Sequence, residues 1–197
     1  EEELMFMEPN FQVETAHDQD AYNNMVTAHY MLHEKNSIKS LYALAVVLAL
    51  CVWWIAAGGN YTSIRALGSG ITTLAIVLLL VPYVDRFAAR QVCHRLLGRV
   101  VKAAKKNKFY GIPTRYRFYD DKLDASDSAG SVETPYSQVT DLVETERYFL
   151  VFLKSGQCVL ARKTDFTVGE AADFKDFLTR ACGRDMRFFE MPKRNGR

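Results

Sequence analysis

Two uncharged apolar runs, residues 41–57 and 71–84, lie close together in this chain with a short glycine-containing loop between them. A helix rises ~1.5 Å per residue and the hydrocarbon layer of a bilayer is ~30 Å thick, so a crossing takes about twenty residues. The first run approaches that length when Gly58 and Gly59 are added, and the second when its helix starts near Ala66. A transmembrane hairpin with spans at 41–59 and 66–84 is therefore the expectation. Thr72 and Thr73 do not oppose it, because a hydroxyl in such a helix can bond a carbonyl one turn back. Pro82 falls near the end of the second span, where a missing backbone donor matters least. The competing reading buries both helices in a soluble core. A chain of 197 residues has little material with which to wrap two helices that are apolar on every side.

Charge is distributed around these runs in blocks. Residues 1–34 hold eight acids and no Lys or Arg, whereas residues 35–109 hold eleven bases and the single acid Asp85. Ten of those bases flank the hairpin on its outer ends: Lys35 and Lys39 before it, and Arg86, Arg90, Arg95, Arg99, Lys102, Lys105, Lys106 and Lys108 after it. The connecting loop has only Arg65. Basic residues accumulate on the cytosolic side of spans, so both termini are expected there. The eight bases after the hairpin are the candidate membrane-surface residues. Past Val84 the helical pattern continues to Lys106, with Cys93, Leu97, Val100, Val101 and Ala104 on one face and Arg95, Arg99, Lys102 and Lys106 opposite. Such a helix can hold anionic headgroups at ~1 kcal/mol per base near the surface. Alternatively, its apolar stripe packs on the rest of the chain and its charges serve only to set topology. A membrane-proximal position accounts for these bases, so no nucleic-acid partner is expected.

Before the hairpin, residues 1–40 read as a cytosolic segment. Phe11-Gln-Val-Glu-Thr alternates like a short strand, and Asp18 or Asp20 would cap a helix over residues 21–34. Tyr22, Met25, Val26, His29 and His33 share one face of that helix. The two histidines stand four residues apart and could chelate a metal with His17 or Cys93-His94 as a third ligand, but no compact ligand cluster supports this, so they are expected to pack or to lie at an interface. Asp120, Asp121, Asp124 and Asp127 lack the glycine and spacing of a calcium loop and read as a solvated hairpin edge. The four cysteines are scattered, and none is spaced as a redox or zinc pair.

After the basic helix (residues 85–109) the period changes at Tyr110-Gly-Ile-Pro113, opening a domain over residues 110–183 and a tail over 184–197. Strands are expected at 114–119, 123–127, 131–136, 141–145, 148–153 and 157–162, with a helical turn at 137–140. Thr167-Val-Gly-Glu170 has the form of a capping box for a helix carrying Ala171, Phe174, Phe177, Leu178 and Ala181 on one face, ended by Gly183. Phe174 and Phe177 are both expected to plug the sheet. Six strands closed by one helix is the order of a pleckstrin-homology-like (PH-like) partial barrel. The fold class expected is thus an α+β membrane protein: a two-helix transmembrane hairpin plus a small cytosolic PH-like barrel capped by a C-terminal helix.

Tyr136-Ser-Gln-Val through Glu144-Thr-Glu, then Tyr148-Phe-Leu-Val-Phe, Lys163-Thr-Asp-Phe166 and the helix with Phe174 and Phe177 resemble the C-terminal domain of YcxB-like bacterial membrane proteins. In residues the resemblance covers about 118–178. In plan it covers nearly the whole chain: a short N-terminal segment, two spans and a β-rich cytosolic domain. The family tends to have Pro-Lys before the Phe turn, where Ala161-Arg162-Lys163 stands here. The resemblance implies the plasma membrane of a bacterium and supplies no site residues. No catalytic, cofactor-binding or metal-binding residue is assigned, and no enzymatic activity is expected. The function expected is a membrane-anchored, cytosol-facing binding or scaffolding module. Its partners are the lipid bilayer and either a protein partner or a second copy. The alternative is an accessory or regulatory subunit of a larger membrane complex, such as a transporter or envelope assembly.

Overall fold

The computed structural model describes residues 8–33, 35–58, 64–127 and 130–191. It is a mixed α+β protein that divides into two compact units, residues 29–96 and residues 1–28 together with 97–197. The outer loop expected between the spans lies largely outside the described residues.

The first unit is helical. Helix α2 runs over Lys35–Ala57, and α3 starts at Ile64 and continues without a break to Lys106. Among the described residues one helical stretch, beginning at Gly68 in α3, is long and apolar enough to cross a membrane, and Tyr42–Ile55 of α2 is apolar but shorter. Leu44, Val47, Leu50 and Ile55 of α2 and Ile71, Leu79 and Tyr83 of α3 are exposed, whereas Ala45 and Ala49 are buried. Most of the large apolar side chains of these helices thus point outward, while Ala45, Ala49, Ala57 and Val81 are buried. Gly70 lies against α2, since a Cβ there would stand 3.1 Å from Trp53 Cβ. Thr72 Oγ1 donates to Gly68 O at 2.8 Å, the back-bond expected of a hydroxyl in an apolar helix.

Among its described residues the second unit has nine strands. They are β1 (Phe11–Ala16), β2 (Pro113–Phe118), β3 (Lys122–Asp127), β4 (Gly130–Pro135), β5 (Val139–Glu144), β6 (Tyr148–Leu153), β7 (Cys158–Arg162), β8 (Phe166–Val168) and β9 (Met186–Phe188). One sheet has the order β4-β3-β2-β1-β8 and the other β7-β6-β5-β9. The strands expected from β2 to β7 are all present, as is the helical turn, Tyr136–Gln138. The N-terminal segment is not peripheral. β1 lies between β2 and β8, paired antiparallel along its whole length from Phe11↔Phe118 to Ala16↔Pro113. Phe11, Val13 and Thr15 face inward and are buried, while Gln12 and Glu14 are not, as the two-residue period of a strand requires.

Helix α4 (Ala171–Cys182) supplies Phe174 and Leu178, both fully buried. The Phe174 ring lies 4.7 Å from Phe118, 4.9 Å from Phe166, 5.1 Å from Phe149 and 5.2 Å from Phe11 between centroids. Phe177 is only half-buried, so the plug is Phe174 rather than both rings. No capping box starts this helix. Its N-cap is Glu170 without a side-chain bond, because Thr167 sits in β8 and exchanges hydrogen bonds with Gln12 of β1. Gly169, at φ +75°, lies so close to β1 that a Cβ would come within 2.4 Å of the Phe11 ring. Only glycine fits there. At the other end Gly183 takes the left-handed conformation and stops α4, as expected.

Both faces of β6 are buried. Phe149, Val151 and Leu153 join the core with α4. On the other face the Tyr148 hydroxyl reaches Asp20 at the start of α1 (Gln19–His33), so the N-terminal segment meets the second face there.

Candidate functional site

Of the eight bases expected to face a membrane surface, Arg90, Arg95, Arg99, Lys102, Lys105 and Lys106 are exposed on α3. Arg86 is also on α3, and Lys108 is exposed just beyond its end, at φ +60°. Among the described residues no carboxylate forms an ion pair with any of the exposed seven. Lys105 instead stands 4.8 Å over the Tyr110 ring. The β unit behaves differently. Arg115, Arg117, Lys122, Arg147, Arg162, Lys163, Lys175 and Arg187 have acidic partners, and among the described residues after Lys108 only the scattered Lys154, Arg180 and Arg184 are without one. Positive charge open to an external anion is therefore concentrated on α3.

A second cluster joins the N-terminal segment to the β6–β7 corner. Arg162 Nη2 donates to Asp18 Oδ2 at 2.7 Å and to the Tyr148 hydroxyl at 2.7 Å, and its backbone N–H donates to Thr15 Oγ1 at 3.0 Å. Asp18 also caps α1, accepting the Ala21 N–H at 2.8 Å, as the sequence predicts. Asp20 accepts from Tyr148 and, at 3.2 Å, from Arg147. Next to this corner, Glu144 takes Lys163 at 2.7 Å and Lys175 at 3.0 Å, linking β5, the β7–β8 turn and α4. The Arg162-Lys163 pair thus ties together four separate stretches of chain. Sequence reasoning missed this role because Asp18 and Arg162 stand far apart in the chain and neither belongs to a local motif.

The acidic hairpin also differs from expectation. Asp124 is not solvated: it is buried on β3 and takes Nε of Arg117 at 2.9 Å and the hydroxyl of Ser131. Arg117 and Ser131 lie on the two strands flanking Asp124, so the charge is neutralised within the sheet. His29 and His33 are exposed on the single chain, with ring centroids 4.5 Å apart. Among the described residues no group of three or more His, Cys, Asp or Glu side chains is placed to hold a metal ion. None of the four cysteines is in a disulfide.

His17, at the β1–α1 junction, is enclosed by Tyr116 and Tyr22. Burial lowers its pKa, against the opposing pull of Asp127 and Asp18. Nε2 of the neutral ring shares a hydrogen bond of 2.7 Å with the Tyr116 hydroxyl, and burial raises the Tyr116 phenol so that it keeps its proton. Burial pushes Asp18 and Glu144 upward, but hydrogen bonds from Ala21 and Arg162 to Asp18, and from Lys163 and Lys175 to Glu144, hold both below the usual carboxylate range. All three groups act in one direction with pH. A His whose folded pKa is depressed takes its proton more readily in the unfolded chain, so stability falls as pH drops through the unfolded value of ~6.5. The two carboxylates contribute stability above their unfolded values, near ~4, and lose it as pH falls further. The denaturation midpoint should therefore decline from about pH 7.5 to pH 5.5, and this first decline should be absent in His17→Gln. A slope that the substitution leaves unchanged would remove His17 as its origin.

The edge of the second sheet forms a groove of about 290 Å³ lined by Thr140, Asp141 and Leu142 of β5, by Arg184 and Asp185 of the segment leading into β9, and by Arg187 of β9. Asp141 and Arg187 are ion-paired across it at 3.2 Å.

Residues 118–178 match the family model of the YcxB-like protein. This is the stretch over which the sequence resembles that family. The match spans β3 to β8 and most of α4, and leaves β1, α1, the apolar helices and β9 outside it. No curated protein matches the chain.

Proposed function

We propose that the protein is a membrane-anchored module whose β unit binds or scaffolds a partner on the cytosolic side. In this reading residues 41–59 and 66–84 form a transmembrane hairpin, both termini face the cytosol, and the two sheets with α4 make a PH-like partial barrel. The observation that supports it best is the make-up of α3. One unbroken helix carries outward-facing Ile71, Leu79 and Tyr83, and then a run of exposed bases without acidic partners among the described residues. The buried Ala45 and Ala49, with Gly70 against Trp53, also suit close packing of helices in lipid, where small residues let backbones approach.

The bases of α3 do not contribute equally in this arrangement. At ~1.5 Å per residue, Arg86 and Arg90 lie about 3 and 9 Å along the helix beyond Val84, while Lys106 lies about 33 Å beyond it. The screening length in physiological salt is ~8 Å. Arg86 and Arg90 are then the residues that hold anionic headgroups, and those further along serve topology or face the cytosol.

Cysteine labelling tests the topology. With Cys51, Cys93, Cys158 and Cys182 replaced, a cysteine introduced at Asn60 should react with an impermeant thiol reagent in intact cells, and one at Asp127 should react only after lysis. Labelling at Asp127 in intact cells would overturn the proposal, as would recovery of the chain in the soluble fraction.

A further inference from the structure

We propose that the outer edge of β5, with the groove beside it, is a binding site for an extended basic and aromatic segment of another protein, and that the chain covers Leu142, Val143 and Glu144 of this edge with its own residues 186–191. β9 is the only parallel partner among the described strands, laid beside β5 in the register Leu142↔Met186, Val143↔Arg187 and Glu144↔Phe188. Its attachment relies on main chain. Beyond the ladder, the Phe189 N–H donates to Glu144 O at 2.9 Å, and the Met191 N–H to the Glu146 carboxylate at 3.0 Å. The side-chain ties that read sequence are the ion pair of Arg187 with Asp141 and the half-buried Met186, which packs against the core. Bonds of this kind give affinity to any extended segment, and the side chains at alternate positions set preference.

The segment is weakly held. Only three residues enter the ladder, Arg187 and Phe188 are exposed, and the ion pair of Arg187 with Asp141 is open to solvent on its Arg187 side, where screening weakens it. A short edge strand with so little apolar burial opens far more easily than the sheet beneath it. The groove also extends past the start of β9, along Thr140 and Asp141, where a longer segment would find unused edge. Asp141 and Glu146 give this edge acid on either side of the ladder, which favours a basic occupant such as the chain's own Arg-Phe-Phe sequence. The family match ends at Leu178, before this segment begins, so the covering strand lies outside the part that matches the family.

This inference rests on the reading of the β unit as a binding module. Its test uses a fluorescent peptide with the sequence of residues 184–191 as probe, added to the detergent-solubilised chain. A chain ended after Gly183 should bind the peptide at least about tenfold more tightly than the full chain, because the tethered competitor is gone. Asp141→Lys in the shortened chain should weaken binding several-fold, and so should Arg→Glu at the position of Arg187 in the peptide. Should the shortened chain not melt cooperatively, the full chain with Phe189→Pro takes its place, since it loses the bond to Glu144 O but keeps the segment tethered. Equal binding by the opened and parent chains overturns the proposal, as does no binding by an opened chain that is folded. A native partner held equally by both chains, with the peptide ignored, removes the groove and leaves the module reading standing.

Discussion

Expressed alone, residues 110–183 should give a molten product with poorly dispersed amide signals and no cooperative melt. Joining residues 8–28 to that fragment through a flexible linker should restore both. The reason is the place of β1. It fills the slot between β2 and β8, so its removal leaves two strands of the five-stranded sheet with unpaired edges facing each other. It also takes Phe11 and Val13 out of the core, where each buried side chain contributes about 1.5–3 kcal/mol. Thr15 would no longer accept the Arg162 N–H, and His17 would no longer bond the backbone of Gly111 and Ile112. With Asp18 and Asp20 gone, Arg162 and Tyr148 would lose their partners at the corner. Domains of this size are stable by only ~5–15 kcal/mol, and these losses together are of that order. Dispersed signals and a sharp melt from residues 110–183 alone would show that β1 is an accessory strand.

This dependence is the main thing that the sequence conceals. The pattern of Phe11-Gln-Val-Glu-Thr identifies a strand and nothing more, because alternation tells which residues share a face but not which strand lies alongside. Its partner β2 begins at Pro113, beyond all three intervening helices, and no local signal joins the two. Elements whose partners are near in the chain are different. The β6–β7 hairpin, the turn at Tyr136–Gln138 and the end of α4 at Gly183 are set by residues within a few positions of one another, and all three can be read directly. The same limit explains the misreading of Thr167. A capping box and a short strand ending in glycine look alike until Gln12 is known to lie beside it. Asp124 reads as solvated because three other acids surround it in the sequence, yet its bonds go to Arg117 and Ser131 on the flanking strands. The bases of α3 could be found without a structure, since charge beside an apolar run is local information. The corner at Arg162 and the covered edge of β5 could not be, since each is made by residues distant in sequence.

Replacing Phe174 by Ala should cost about 3–5 kcal/mol, enough to unfold most of the β unit at ordinary temperature. Phe177→Ala should cost clearly less. The distinction comes from burial and neighbours. Phe174 is fully buried and touches rings from β1, β2, β6 and β8, so truncation leaves a cavity that no single neighbour can close. Phe11 is held by Gly169 against its edge, and Phe118 and Phe149 are pinned within separate sheets. Cavities walled by such fixed groups relax little, which puts the expected cost at the upper end of the range. Phe177 is half-buried, with Phe11 at 4.9 Å and Tyr136 at 6.4 Å, and water can enter part of the space that its loss would leave. Denaturant midpoints of the two variants in the full chain give the comparison directly. Equal costs, or a larger one for Phe177→Ala, would mean that α4 sits lower on the sheets and that Phe174 is not the ring around which they close.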